Sequence, residues 1–240
     1  MCARYTLRTP PWALARALGS RTLERPLPPR YNVAPTQPVV AVLNDPERHL
    51  KEVRWGLIPP HAPSPTASKL STFNARIETV ATARTFRDAF RLRRCAILAD
   101  GFYEWRKDAD GGKTPLWIHR SDEAPFVFAG LWDTWFARDG AESVCSATII
   151  TEPADAFMEP IHSRMPVVLD TERARAWLAH GEHDAASLYD ILAPALPGEW
   201  TATPVGRRVG NPRFDDPSLI APVAASNLTP LSLFEGMSTS

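Results

Sequence analysis

The chain has 240 residues, 44% of them hydrophobic, enough to bury a sizeable core in one large domain or two small ones. Its 27 basic residues balance 27 acidic ones, so no whole-molecule field steers it to nucleic acid, and an anionic partner must be met by a local patch. No stretch approaches about 18 consecutive apolar residues, and the first thirty residues hold six arginines, which argues against a membrane span or a secretory signal and for a cytoplasmic protein.

The chain opens Met1-Cys2-Ala3-Arg4-Tyr5. A small second residue permits removal of the initiator methionine, which would leave Cys2 with a free α-amine and a thiol on adjacent carbons. That pair condenses with an aldehyde and closes a five-membered thiazolidine ring. An unperturbed α-amino group titrates at about 7.7–8.0, so part of it is a neutral nucleophile at physiological pH. The plainer alternative is a frayed terminus with an incidental cysteine. Cys95 and Cys145, the other two cysteines, sit in apolar runs and read as core thiols; three cysteines at this spacing form neither a disulfide framework nor a zinc pattern.

Leu7 to Leu18 reads as an early helix, and Arg25 to Pro38 as a proline-rich irregular passage. Val39–Leu43 and Glu52–Leu57 read as strands around a turn at Asn44-Asp45-Pro46, and Pro59–Ser71 as a loop suited to a binding flap. Phe73 to Glu78 alternates, with Phe73, Ala75 and Ile77 on one side and Asn74, Arg76 and Glu78 on the other, so a strand there would present amide, guanidinium and carboxylate together. Thr79 to Phe90 reads as helical. Cys95–Ala99 is a buried strand running into Asp100-Gly101-Phe102-Tyr103-Glu104-Trp105, and Asp110-Gly111-Gly112 marks a hairpin turn. Leu116–His119, Phe126–Trp132, Val144–Thr151 and Met165–Leu169 supply further strands, Ala154–Met158, Thr171–His180 and Ala185–Leu192 helices, and the segment from Ser226 a disordered tail. About ten short strands without regular βα alternation predict a single α+β domain over residues 1–225, with a mixed, curled, barrel-like sheet flanked by a few helices.

Glu104, set among Phe102, Tyr103 and Trp105, is a candidate desolvated carboxylate able to give and take protons near neutrality; the alternative is a solvated edge-strand glutamate. His162, at the entry to an apolar strand, is either a proton donor and acceptor or a structural histidine. The six histidines have no ligand spacing, so no metal and no other cofactor is expected. Arg84, Arg87, Arg91, Arg93 and Arg94 would give a helix a basic face, most simply a solvated one. Trp55, Trp105, Trp117, Trp132 and Trp135 could stack on bases or fill the core.

Together these segments resemble the SRAP family, whose members shield abasic sites in single-stranded DNA. The resemblance rests on Met1-Cys2-Ala3-Arg4-Tyr5, Arg30-Tyr31-Asn32-Val33-Ala34-Pro35, Trp55-Gly56-Leu57-Ile58-Pro59, Asn74-Ala75-Arg76-Ile77-Glu78-Thr79, Ala99-Asp100-Gly101-Phe102-Tyr103-Glu104-Trp105, Ile161-His162-Ser163-Arg164-Met165-Pro166-Val167, Val209-Gly210-Asn211-Pro212 and Ser218-Leu219-Ile220. It implies a covalent abasic-site sensor in which Cys2 forms a thiazolidine with the ring-opened aldehyde, assisted by Asn74, Glu104 and His162. It also implies DNA contacts at Arg4, Pro35, Arg76, Arg84, Thr151 and Arg164, and a monomer that associates with the nucleoid when bound to DNA. The family's name keeps a second activity open, a cysteine peptidase acting through Cys2, if only on its own Met1-Cys2 bond, and a Schiff base at C1′ would labilise the 3′ phosphate and give weak strand-incising lyase behaviour. The sequence departs from the family pattern at Ala3, where glycine is usual, and at His61, where the family tends to carry tryptophan.

Overall fold

The computed structural model describes residues 2–20, 26–66, 72–193 and 199–223. The tail expected from Ser226 lies outside the described residues, as do residues 67–71 of the predicted flap. In chain order the elements are β1 (Tyr5–Leu7), α1 (Trp12–Ala17), β2 (Arg30–Val33), β3 (Pro38–Leu43), β4 (Leu50–Trp55), β5 (Asn74–Arg76), α2 (Arg87–Leu92), β6 (Arg94–Ala99), β7 (Gly101–Lys107), β8 (Lys113–Arg120), β9 (Phe126–Phe136), β10 (Ser143–Pro153), β11 (Arg164–Pro166), β12 (Val168–Leu169), α3 (Thr171–Trp177), α4 (Ala185–Leu192) and β13 (Trp200–Pro204). Two short 3-10 turns, Arg207–Gly210 and Pro217–Ile220, follow.

Strands β4, β3, β6, β9 and β10 pair in that order, and β10 closes the ring by pairing both β9 and β4. The β10–β4 pairing is parallel and the others antiparallel, so the predicted mixed, barrel-like α+β architecture is what forms. A closed ring has no edge strand to protect, and its interior fills with the inward residues of each strand. A second, antiparallel sheet runs β13-β8-β7-β1-β2. It packs on the barrel through the rings of Tyr5, Phe102 and Phe128, whose centroids lie 5.8 Å (Tyr5–Phe128) and 6.1 Å (Phe102–Phe128) apart in edge-on contacts. Each such pair adds roughly 0.5–1.5 kcal/mol beyond its buried area. Gly101 allows the tightest approach in this sheet, because a Cβ there would fall 2.1 Å from Trp117 Nε1.

Several expected elements are redrawn. Leu7 belongs to β1, and the first helix begins only at Trp12, after the Pro10-Pro11 pair breaks the chain's direction. The passage from Arg25 to Pro38 contains a strand, β2, whose start is fixed from outside: Asp215 accepts from the amides of Tyr31 (2.5 Å) and Asn32 (3.0 Å). The helix expected over Thr79–Phe90 shrinks to Arg87–Leu92. Residues 79–86 are successive turns, with Thr82 Oγ1 donating to Thr79 O at 3.2 Å, the competition by which threonine unsettles a helix interior. Ala154–Met158 is likewise a turn, held where Asp155 Oδ1 accepts from Met158 N at 2.8 Å.

Candidate active site

The first strand brings the N-terminal residues to the site. β1 pairs β7 with Tyr5 opposite Phe102 and Thr6 opposite Gly101, and the ladder ends where Tyr103 N donates to Arg4 O at 3.0 Å. Continuing that register sets Ala3 opposite Glu104. Cys2 is fully buried, and Asn74 at the head of β5 donates from Nδ2 to Cys2 O at 2.9 Å. Asn74 is in turn positioned by β10, where it lies opposite Ile149. Its Oδ1 is buried without a hydrogen-bond partner among the described residues, so this amide holds the backbone of Cys2 with one end and has an acceptor to offer with the other.

Burial pushes the Cys2 thiol far above its usual range, and the charge of Glu104 beside it pushes in the same direction. Glu104 is itself 3% exposed, and desolvation raises its carboxyl pKa, opposed by positive charge at the amino end of the chain and on His162. His162 is half-buried, and its Nδ1 lies 3.0 Å from Arg164 N and 3.1 Å from Arg164 O, so the ring is held against the backbone of Arg164 through this nitrogen. Cys2, Asn74, Glu104 and His162, separated by up to 160 positions in sequence, therefore share one site, with a thiol kept neutral and a carboxyl biased toward its protonated form.

The anticipated DNA contacts divide into exposed and engaged groups. Arg76 at the end of β5 and Arg84 in the turns after it are exposed and make no ion pair among the described residues. Arg4 is half-buried, with Nη1 donating to Ala3 O at 2.8 Å. Pro35 lines a cleft of about 150 Å³ with Gly56, Thr72 and Phe73, next to Asn74 in the chain. Thr151 is fully buried and offers no surface of its own; its carbonyl accepts from Arg164 Nη2 at 2.7 Å. Arg164 is also ion-paired with Glu78, with Nη2 at 3.1 Å from Oε2 and Nη1 in contact with Oε1. The carboxylate that sequence alternation put beside Arg76 thus acts on Arg164 instead, a pairing no local pattern reveals.

The arginine run does not make a basic face. Arg94 is fully buried and donates to Phe90 O and Arg91 O at the end of α2 and to Trp177 O, Ala179 O and Gly181 O after α3. It therefore satisfies carbonyls that two helix ends leave unpaired. Arg87, Arg91 and Arg93 pair with Asp88, Glu182 and Asp133. Of the tryptophans, Trp55, Trp117 and Trp135 are buried, and Trp105 and Trp132 are partly so. Ala3 is not among the described residues with positive φ, which outside glycine are Thr36, Arg48 and Glu123, so its methyl meets no backbone strain. No group of three or more His, Cys, Asp or Glu among the described residues could hold a metal.

The profile of the SOS response associated peptidase (SRAP) family matches residues 1–212. The chain belongs to the SRAP family. Among its relatives, the abasic site processing protein YoqW of Bacillus subtilis is 34% identical over 226 residues, covering 92% of this chain and 99% of its own length. The abasic site processing protein YedK of Escherichia coli is 36% identical over 218 residues (86% and 93%). The abasic site processing protein HMCES of Xenopus tropicalis is 32% identical over 225 residues (81% and 66%). A solved structure from Bacteroides thetaiotaomicron shares the fold with a TM-score of 0.81 at 23% identity, over 93% of this chain and all of that one. One from Bordetella bronchiseptica reaches 0.71 at 30% identity, over 85% and 100%. The family resemblance drawn from the motifs is therefore correct.

Proposed function

We propose that this SRAP protein processes abasic sites in DNA, and that it does so by covalent capture on single strands, as a monomer in the cytoplasm. The observation that carries the reading is the 2.9 Å hydrogen bond from Asn74 to the carbonyl of Cys2, beside a desolvated Glu104. It fixes the residue that bears the reactive amine and thiol once Met1 is removed.

The sugar of an abasic site exists mainly as a closed hemiacetal, and opening it needs a proton delivered to the ring oxygen and one taken from the 1-hydroxyl. Glu104, with its raised pKa, is suited to both transfers. The neutral α-amine of Cys2 attacks C1′, forming a C–N bond and, after proton transfer, a carbinolamine. Glu104 protonates the departing hydroxyl, water leaves, and an iminium remains. The Cys2 sulfur then adds to the same carbon while its proton passes to the site's bases, closing the thiazolidine with net loss of one water. A thiol held neutral until the iminium exists cannot compete with the amine for the aldehyde. His162 supplies a second proton-transfer group for the reverse reaction. Arg4, Arg76, Arg84 and Arg164, with Pro35 in the wall and Thr151 holding Arg164 through its carbonyl, would guide the phosphates.

The peptidase reading needs a thiolate at neutral pH, and burial of Cys2 drives the thiol the other way. A Schiff base at C1′ that escapes ring closure would labilise the 3′ phosphate and give weak strand incision. The test is a denaturing gel of the protein with single-stranded and duplex oligonucleotides carrying one abasic site. The reading expects a shifted band with the single strand that Cys2→Ala and undamaged DNA both lack; turnover of peptides without DNA, and no shifted band, would favour the peptidase.

A further inference from the structure

The β1–β7 ladder stops at Arg4 and Tyr103, but β7 runs on for four residues and turns back into β8. This projecting hairpin and the loop ahead of β11 enclose a cleft of about 400 Å³, lined by Trp105, Lys107, Lys113, Glu159, His162 and Ser163 among others. Lys107 and Lys113 are a directly opposed cross-strand pair. Both are exposed, and neither has an ion pair or side-chain hydrogen bond among the described residues. Like charges facing each other across a ladder destabilise a hairpin, and the chain, which has only four lysines against 23 arginines, sets two of them here. One end of the cleft is His162, a member of the proposed catalytic set, and half-buried Trp105 lies along it. Glu159, exposed on the loop side, is the single carboxylate among the lining residues.

We propose that this cleft binds the nucleotide next to the captured sugar on one side of it, with Lys107 and Lys113 meeting backbone phosphates and Trp105 offering an aromatic edge to the base. The inference rests on the abasic-site reading and extends it to a strand path over the β7–β8 hairpin, apart from the arginines of β5 and its following turns. The lysines bind the strand and do not touch the reacting atoms. Glu159 opposes a phosphate in the cleft and so limits affinity there.

The experiment compares wild type with Lys107→Ala/Lys113→Ala, measuring crosslinking rate against salt on three oligonucleotides: one with the abasic site central, one with it at the 5′ end and one with it at the 3′ end. On the central substrate the double variant is expected to react about tenfold more slowly at low salt. Its slope of log rate against log salt should be shallower by roughly 1.4, since each single-strand phosphate contact contributes roughly 0.7. On one of the two terminal substrates, the one lacking the nucleotides that enter the cleft, wild type and variant should react alike. Glu159→Gln should act in the opposite direction, raising the rate on the central substrate. Equal rates and slopes for wild type and variant on all three substrates would overturn the proposal while leaving covalent capture intact. Absence of any adduct with wild type would instead remove the abasic-site reading and this one with it. Both lysines are exposed, so the double variant leaves the core unchanged.

Discussion

Arg164 is bound to Glu78 at the place where a phosphate contact is expected: the two side chains meet through both guanidinium Nη atoms, and the charge pair draws the Glu78 carboxyl below its usual pKa. A DNA phosphate must displace this carboxylate to engage Arg164 in two-pronged fashion. The partly exposed pair is worth little to stability but directly occupies the donor. Glu78→Gln is therefore expected to tighten binding to undamaged single-stranded DNA about 3- to 10-fold at low salt, measured by fluorescence anisotropy. The gain should vanish in an Arg164→Ala background. An unchanged affinity would mean that Arg164 does not reach the strand.

Glu104 governs the pH dependence of the chemistry. The amine must be neutral to attack and the carboxyl protonated to expel water, so the crosslinking rate should pass through a maximum, rising with the amine and falling as Glu104 ionises. Because burial raises the Glu104 pKa, the falling limb is shifted toward neutrality from the ordinary carboxylate range. Glu104→Gln is expected to slow crosslinking about 10²-fold or more and to abolish that limb, as read from single-turnover rates between pH 5 and 9.

Glu152 is buried on β10 near Asp155 and Glu78, and desolvation, with those two charges, raises its pKa from 4.5 to about 7 despite the opposing charge of Arg164. Between those two values the folded chain holds a proton that the unfolded chain has released, so stability falls as pH rises from 4.5 to 7 and stays reduced above. Glu152→Gln should then raise the melting temperature at pH 8 and leave it nearly unchanged at pH 4, with a gain of up to about 3 kcal/mol. A shift of equal size at both pH values would contradict the assignment.

Arg94 is a structural cation. Replacing it by methionine leaves the carbonyls of two helix ends unsatisfied, and a loss of about 3–5 kcal/mol is expected in denaturant unfolding. Arg87→Ala, on the exposed side of the same run, should stay within about 0.5 kcal/mol. If the run were a DNA-binding face, Arg87→Ala would instead weaken DNA affinity.

Those two arginines illustrate what the sequence reveals and what it conceals. Cys2, Glu104 and His162 each had an ordinary structural reading beside the chemical one, and only the family resemblance of the motifs around them joined them with Asn74 as a set, whereas the strands that close the barrel are legible as apolar runs. Arg94 looks like its neighbours because three of the carbonyls it satisfies lie more than eighty residues away. The strand β2 was hidden for a similar reason, since Asp215 rather than any local pattern supplies its starting hydrogen bonds. Thr79–Phe90 misled in the opposite direction: its spacing suits a helix, yet residues 79–86 form turns in which the Thr82 hydroxyl bonds to the carbonyl of Thr79.

The most direct test of covalent capture by Cys2 is the intact mass of the product formed with a single-stranded oligonucleotide bearing one abasic site, without any reductant. The account predicts a species equal to the protein lacking Met1 plus the oligonucleotide minus one water, stable to denaturation. Cys2→Ser, which keeps the amine but forms no thiazolidine, should give an adduct only when borohydride traps the Schiff base. A wild-type adduct that also requires borohydride, or none from a chain confirmed to begin at Cys2, would contradict it.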